Sequence, residues 1–220
     1  MILRFILTTI ANFLFITGLG ILTFTYAPII YSEAIYASTS KSNNQAHNNV
    51  QLNTPNNPNI PDIDDSFDYA NITPVVAVDP NFSVIIDKIN VNAPVVADVS
   101  TVNNLEYMNA LSHGVAHAKG TPYPGQDGNM FLFAHSSINF WQLGPYATVF
   151  NLLNKVEVGD NITMVYKGRP YVYRVFSTEV VPGWNTKPFD DNYTVPVITL
   201  VTCDPPGSTQ NRLVVKAKLI

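Results

Sequence analysis

An uncharged run near the N-terminus constrains this 220-residue chain more than any other feature. No charged residue occurs between Arg4 and Glu33, and residues 5–27 form the most apolar part of that interval. As a helix, residues 5–27 would reach about 34 Å, which is enough to cross a hydrocarbon core of about 30 Å. We predict one transmembrane helix that ends at Pro28, since proline has no backbone donor and disfavours helix at the preceding residue.

Two interpretations of this run compete, a cleaved signal peptide and a permanent anchor. A signal peptide has an apolar region of about 7–15 residues followed by a small-residue cleavage site. Here the apolar run is longer, and the nearest such site, around Ala34 and Ala37, lies well beyond its end. We predict that residues 1–37 are an uncleaved anchor with its flank. Arg4 indicates a cytoplasmic N-terminus, with the rest of the chain outside the cell.

The composition changes abruptly after this anchor. Residues 38–75 are rich in asparagine and proline and contain few apolar side chains. Such a segment buries too little surface to offset its conformational entropy, so we predict a disordered linker over residues 38–75. The net charge of −4 gives no basic stripe for a nucleic acid, and we expect no nucleic-acid partner.

The remaining residues, 76–220, are mainly of β pattern. Short runs rich in β-branched residues alternate with turn residues, and helical pattern is limited to 102–111, with 150–153 as a second, shorter candidate. About seven or eight strands in so short a domain are typical of a closed barrel or a sandwich. The predicted strands are 82–86, 91–96, 129–134, 162–166, 171–181, 195–202 and 213–219.

The chain contains a single cysteine, Cys203, so no internal disulfide can form. Cys203 ends a predicted strand, and Arg212 begins the next one after a loop rich in proline and glycine. If these two strands are antiparallel neighbours, the thiol and the guanidinium lie side by side, where the cation could stabilise developing negative charge. The alternative is that Cys203 is a small buried hydrophobic residue.

A cysteine nucleophile needs a proton partner, and the folded domain contains three histidines. His135 directly follows a predicted strand, so the sheet would hold it rigidly. His113 and His117 lie in a segment that looks like a loop. The pattern favours His135 as the acid/base and leaves the other two as alternatives. His117, in a segment flanked by glycines, is expected to shape the entrance or to bind substrate.

These residues together resemble the sortase family. Residues 199–203, Thr-Leu-Val-Thr-Cys, are similar to the TLxTC signature of sortases, and Arg212 falls where their active-site arginine follows on the next strand. The segment 114–135 is similar to the sortase pattern that leads to the catalytic histidine, and 82–95 resembles the opening strands. The resemblance covers residues 81–220.

The resemblance implies an all-β fold, an eight-stranded sortase-type β-barrel with short helices. It implies a membrane-anchored cysteine transpeptidase with Cys203 as nucleophile, His135 as acid/base and Arg212 at the oxyanion. Thr202 resembles a residue that helps to line the oxyanion site. One departure is Ala134, where many sortases have glycine, and we expect its methyl group to crowd the site slightly.

The implied reaction is cleavage of an LPxTG-like sorting signal near the C-terminus of a surface protein. A thioacyl-enzyme would pass the acyl group to an amine, either a cell-wall peptide precursor or a pilin lysine. The resemblance requires no cofactor. Some relatives bind calcium through loop carboxylates, and no calcium site is predicted here. Candidates by charge alone are Asp98, Glu157, Glu179, Asp190 and Asp191.

Two other functions compete with this one. Ser112, His113 and Gly114 resemble the SHG motif of L,D-transpeptidases, but there a cysteine follows, whereas this chain has Val115. A non-catalytic extracellular β-domain for surface adhesion would have a buried and unreactive cysteine. The sorting signal, the amine acceptor and the sortase subclass stay open.

Overall fold

A computed structural model describes residues 2–47, 76–136 and 146–220. Eight strands and three α-helices occur in these residues, with short 3-10 helices at Asp87–Ile89 and Leu153–Lys155. The helices are α1 (Ile2–His47), α2 (Asn104–His113) and α3 (Lys187–Asp190). The strands are β1 (Phe82–Ile86), β2 (Val91–Val99), β3 (Val115–Ala118), β4 (Gly128–Phe133), β5 (Asn161–Tyr166), β6 (Arg169–Pro182), β7 (Pro196–Asp204) and β8 (Asn211–Leu219).

The eight strands form a closed barrel in the order β1-β2-β3-β4-β7-β8-β6-β5. The pairs β2–β3 and β4–β7 are parallel, and the other neighbours are antiparallel. β4, β6 and β7 therefore end at one end of the barrel, and β8 begins there. The predicted eight-stranded barrel is confirmed.

Alternation along the strands separates two apolar clusters. In β7, Ile198 and Leu200 face the barrel interior, whereas Val201 faces outward and packs against a second cluster beneath α2. By the same period of two, Cys203 projects from the outer face. The outer cluster joins α2 to β3 and β4 through Leu111, Ala116 and related residues. The helix thus lies against the face from which Cys203 projects.

β3 is a strand that the sequence pattern did not predict. Its four residues, Val115–Ala118, were assigned to a loop, and the structure corrects this. The polar/apolar alternation typical of a strand is missing because both faces of β3 are covered. Val115 faces the barrel core, and Ala116 lies in the cluster under α2. The short helix α3 was not predicted either.

The N-terminal helix is longer than predicted. Pro28 does not end α1, which continues to His47 and so takes in residues 38–47 of the predicted linker. A proline removes one donor from the helix ladder, and α1 continues in spite of that loss. The segment Ile6–Phe24 is long and apolar enough to cross a membrane. The rest of the predicted linker, 48–75, lies outside the described residues.

Candidate active site

Cys203 and Arg212 are directly opposite one another in the antiparallel pair β7–β8. Both side chains are on the outer face, since Leu213 and Thr202, their immediate neighbours, are buried on the other side. Opposite residues in such a pair have Cβ atoms about 4.5–5.5 Å apart. The hairpin therefore brings a thiol and a permanent cation together on one partly exposed surface.

His135 reaches the same surface from the other side of β7. In the parallel pair β4–β7, Phe133 is in register with Val201, so His135 and Cys203 lie two residues further along. The Ala134 amide donates to the Val201 carbonyl at 3.2 Å and extends the pairing to this point. Neighbouring strands are about 4.8 Å apart. His135, Cys203 and Arg212 thus stand in a row across three adjacent strands.

Two buried hydroxyl groups fasten the ends of β4 and β7 to each other. Ser136 Oγ donates to the Cys203 carbonyl at 2.7 Å, and Thr202 Oγ1 donates to the Ala134 carbonyl at 2.8 Å. Thr202 is 4% exposed and faces away from the row. Its hydroxyl therefore holds the two strands together, and the structure does not present it to a substrate. No sequence signal singled out Ser136.

The Arg212 guanidinium is held by the loop that precedes β8. Nη1 donates to the Thr209 carbonyl at 3.1 Å and to the Asn211 carbonyl at 2.9 Å. A guanidinium has five N–H donors, so these bonds orient it and leave others for a ligand oxygen. Gly183 packs against the same loop. A Cβ there would lie 2.4 Å from Thr209 O and 3.3 Å from Arg212 Nη1, so only glycine leaves the loop in place.

Burial controls the protonation of His135. Its Nε2 atom is buried and has no hydrogen-bond partner in the described part of the chain. Loss of solvent lowers the pKa of His135 below its usual value of 6.5. The ring is therefore mainly neutral at pH 7, and its unpaired nitrogen is available for proton transfer.

Tyr107, on α2, completes one wall of the site. Its ring stacks on Phe133 with centroids 5.0 Å apart and an interplanar angle of 11°. Burial raises the pKa of Tyr107, a negative Cys203 would raise it further, and the positive Arg212 acts in the opposite direction. The phenol thus lies within electrostatic reach of both residues. The predicted helix contained Tyr107, but its helical pattern carried no sign of a site.

The profile of the sortase domain matches residues 84–220, which include His135, Cys203 and Arg212. The chain belongs to the sortase family. Over 138 residues it is 24% identical to sortase D of Bacillus subtilis (strain 168), a match that covers 61% of each protein. Our chain thus spans less than two thirds of that relative's length.

Solved sortase structures share the fold. A sortase D5 transpeptidase of Clostridium perfringens is 26% identical, with a TM-score of 0.52, over 64% of our chain and 79% of that one. Sortase C1 of Streptococcus suis is 28% identical, with a TM-score of 0.53, over 63% and 71% of the two chains. The chain thus has the fold of these sortases.

His117 lies apart from the row in this sortase. Its side chain is completely buried on the interior side of β3, where its ring contacts Phe82 and Tyr123. Nε2 pairs with Thr121 Oγ1 at 2.9 Å and lies 3.1 Å from the Pro122 carbonyl. Burial lowers the pKa of His117. The imidazole is satisfied and inaccessible, so the structure does not support the predicted contact with substrate.

Ala134 does not crowd the site, contrary to our expectation. It is 7% exposed and belongs to the interior cluster, because it alternates with His135 along the strand. Its methyl group points into the barrel core, away from Cys203. The methyl group that alanine has and glycine lacks therefore adds to core packing, and it leaves the outer face unchanged.

The acidic residues considered for calcium are dispersed. Glu157 binds Lys88 at 2.6 Å, and Glu179 and Asp191 both bind Lys216, at 3.0 and 2.7 Å. Across the described ranges 2–47, 76–136 and 146–220, no three His, Cys, Asp or Glu residues gather as metal ligands would. Glu157, Glu179 and Asp191 therefore act in ion pairs.

Proposed function

We propose that this sortase is a cysteine transpeptidase in which Cys203 is the nucleophile, His135 the acid/base and Arg212 the oxyanion ligand. One observation supports the proposal above others. Cys203 and Arg212 are paired across β7 and β8, and His135 follows the end of β4, two residues beyond the Phe133–Val201 pair, which supports a common outer face for the three side chains. A nucleophile, a proton carrier and a fixed cation are the groups that acyl transfer requires.

In the first half of the reaction, the Cys203 thiol gives its proton to the neutral imidazole of His135, and the resulting thiolate attacks the scissile carbonyl carbon and forms a C–S bond. The carbonyl oxygen becomes an oxyanion, which the Arg212 guanidinium binds. The C–N bond then breaks as the His135 imidazolium gives its proton to the departing amine. The products are a thioacyl-enzyme, a free amine and a neutral imidazole.

In the second half, an incoming amine attacks the thioester carbon. His135 takes the proton from that amine, a new amide bond forms, and the Cys203 thiolate departs. The thiolate and imidazolium are restored, so no cofactor or co-reactant enters the cycle. Tyr107 bounds the site on the α2 side.

The substrates that we propose are an LPxTG-like C-terminal sorting signal and an amine of a cell-wall precursor or a pilin lysine. Residues 5–27 would hold the protein in the lipid bilayer, with the N-terminus in the cytoplasm and the barrel outside. The apolar segment Ile6–Phe24 supports the anchor. This arrangement attaches or polymerises surface proteins where they leave the membrane.

Mass spectrometry of the full-length protein in detergent tests the mechanism. With an LPxTG-type peptide and triglycine, the native protein should form a thioacyl adduct on Cys203 and then the transpeptidation product. Cys203→Ala should form neither. His135→Ala should lower kcat/KM by about 10²–10⁴-fold. His113→Ala is the matched control, since His113 is exposed at the end of α2, and should retain activity.

Acyl transfer by folded Cys203→Ala would contradict the mechanism. A non-catalytic adhesion domain is the competing function. It would show no adduct with any sorting-signal peptide and a thiol that mild alkylation does not label. The partial exposure of Cys203 favours the enzyme over that alternative.

A further inference from the structure

The barrel end opposite Cys203 opens into a cleft that the proposed reaction does not use. β4 and β7 both begin at this end and reach the catalytic row only at their other end. The cleft has a volume of about 570 Å³. Its principal lining residues are Tyr123, Gly125, Tyr166, Lys167, Arg169 and Tyr171.

The cleft is the mouth of the barrel, and its walls continue the interior row of side chains. Tyr166 is paired with Arg169 across the β5–β6 hairpin, and the buried Met164 is paired with Tyr171. Because alternate residues share a face, both tyrosines extend the core outward and are half-buried. Barrel mouths of this kind are common sites for small ligands.

The aromatic wall is rigid and uncharged. Tyr123 and Tyr166 stack with centroids 5.1 Å apart, and Phe82 supports them, 5.2 Å from the Tyr166 centroid. The Tyr123 hydroxyl donates to the Asp98 carboxylate at 2.6 Å. That hydrogen bond, with some burial, raises the pKa of Tyr123 to about 12. The aromatic rings of this wall therefore hold one another in place.

Gly125 keeps the cleft open on its remaining side. Its φ is +83°, and a Cβ there would lie 2.6 Å from the Tyr171 ring. Its amide donates to the Tyr173 hydroxyl at 3.0 Å, which anchors the loop to the barrel. The backbone of Gly125 thus lies against the Tyr171 ring. A larger residue at position 125 would displace that ring.

Two cations stand beside these rings. Lys167 and Arg169 are exposed, and the lining contains no acidic residue. Lys167 Nζ lies 5.0 Å from the centroid of the Tyr166 ring. Neither cation forms an ion pair within the described ranges, whereas Lys88 and Lys216 each bind two carboxylates. The protein has a net charge of −4, so the cleft is a local region of opposite charge.

We infer that this cleft binds an anionic sugar unit, one that carries a carboxylate or a phosphate. The C–H face of the sugar ring would stack on Tyr166 and Tyr171, while Arg169 and Lys167 bind the anionic group. Charge-assisted hydrogen bonds from a guanidinium to such an oxyanion are about twice as strong as neutral ones. This binding is independent of Cys203, and it holds whether or not the proposed acyl transfer is correct.

Other occupants match the cleft less well. A nucleic acid needs many phosphate contacts, and two cations on an acidic protein supply too few. A membrane surface would favour exposed aliphatic side chains, and the lining has none. A peptide that adds to a sheet needs a free strand edge, which the closed barrel does not offer.

Isothermal titration of the full-length protein in detergent tests the inference with three probes: trigalacturonate, neutral galactotriose and galactose 1-phosphate. We expect trigalacturonate or the sugar phosphate to bind with a Kd below about 1 mM. Galactotriose should bind at least tenfold more weakly. Binding of both anionic probes would support a site that accepts either a carboxylate or a phosphate on a sugar. Binding of one probe would support the inference and identify which anionic group is preferred.

Variants locate the binding. Arg169→Gln and Lys167→Gln should each raise the Kd about tenfold. Tyr171→Leu, which keeps bulk but removes the ring, should raise it severalfold. Lys218→Gln is the matched control, an exposed cation on β8 outside the cleft, and should bind as the native protein does. Absence of binding, equal affinity for galactotriose, or an equal loss in Lys218→Gln would overturn the inference.

Discussion

At the scale of single residues, the three side chains proposed for catalysis depend on neighbours that have no proposed chemical role. Ser136 is 1% exposed and bonds to the carbonyl of the nucleophile itself. Gly183 leaves space for the loop that orients Arg212. The distance and direction between proton carrier and nucleophile are thus set by buried polar contacts. A shift of about 1 Å in such geometry can cost about a hundredfold in rate.

Ser136→Ala should reduce both stability and turnover. The substitution leaves the buried Cys203 carbonyl without this donor, so the free energy of unfolding should fall by about 1–3 kcal/mol. We expect kcat to fall about tenfold or more, with little change in KM, because the strand ends separate. Urea denaturation and steady-state kinetics measure the two effects. A normal kcat in a destabilised variant would restrict Ser136 to a structural role.

The pH dependence of kcat/KM should report the buried His135. Its pKa is lowered by burial, so the acid limb should have a midpoint below 6.5. Below that midpoint the pair of His135 and Cys203 gains one proton and becomes an imidazolium beside a thiol. No group is then left to accept the thiol proton. Activity therefore rises with pH through this value. His113→Ala should leave the limb unchanged, and a native midpoint above 6.5 would contradict the assignment.

His117 should matter to stability rather than to catalysis. His117→Ala removes a buried, hydrogen-bonded ring, which should cost about 2–4 kcal/mol of unfolding free energy. Because burial lowers the pKa in the folded state, this histidine contributes stability above pH 6.5 that is lost as pH falls through the folded pKa. The variant's stability should therefore change less between pH 7 and pH 5. A stable variant with strongly reduced kcat would refute this.

At the scale of elements, α2 is the wall that brings Tyr107 to the site. Asn103 caps the helix, and its Oδ1 accepts from the amides of Leu105 and Glu106 at 3.2 and 3.3 Å. The Glu106 carboxylate in turn accepts from the Ser100 amide at 2.8 Å. The two bonds to Asn103 Oδ1 satisfy donors that the first turn of a helix leaves unpaired. The start of α2, and with it the position of Tyr107, is set by its cap.

Removal of this cap should weaken the whole wall. Asn103→Ala should lower the unfolding free energy by about 1 kcal/mol. The neighbouring Asn104→Ala serves as the control, since Asn104 is exposed and lies within the helix, where alanine is favourable. Thermal melts of both variants provide the comparison. Equal destabilisation would show that the cap does not determine the start of the helix.

At the scale of the whole molecule, the described contacts between the barrel and the N-terminal helix involve Glu33, Tyr36 and Lys155, and Tyr36 also packs against the core cluster. Lys155 Nζ lies 3.6 Å from Glu33 Oε2 and 5.7 Å from the centroid of the Tyr36 ring. Partly exposed pairs of this kind contribute about 0–1 kcal/mol. The barrel, by contrast, is closed and has its own core. Its stability should therefore not depend on the anchor.

A chain trimmed to begin at Val75 should be soluble and should unfold cooperatively. We expect it to retain acyl transfer to a soluble amine, because His135, Cys203 and Arg212 all lie on barrel strands or directly after them. Chemical denaturation followed by two spectroscopic probes, with kinetics alongside, is the measurement. Non-coincident transitions, or a barrel that fails to fold, would show that residues before 75 are part of the folded unit.

The sequence by itself determined the features that depend on near neighbours. Period-two alternation identified most strands, and a short loop between two strands made Cys203 and Arg212 opposite each other whatever the rest of the fold. The uncharged run also predicted a helix, although Pro28 was too weak a signal for its end. Local periodicity and short loops act within about ten residues, so a single sequence is enough to reveal them.

Only the tertiary structure decided which distant residues meet. His135 reaches Cys203 because β4 and β7, nearly seventy residues apart, pair in parallel. Barrel closure likewise covered both faces of β3, buried His117 and turned the Ala134 methyl group inward. It also assembled the aromatic cleft from the β3–β4 loop and the β5–β6 hairpin. Non-local strand pairing leaves no periodic trace in either partner, and it is this pairing that positions the proposed catalytic residues and the cleft.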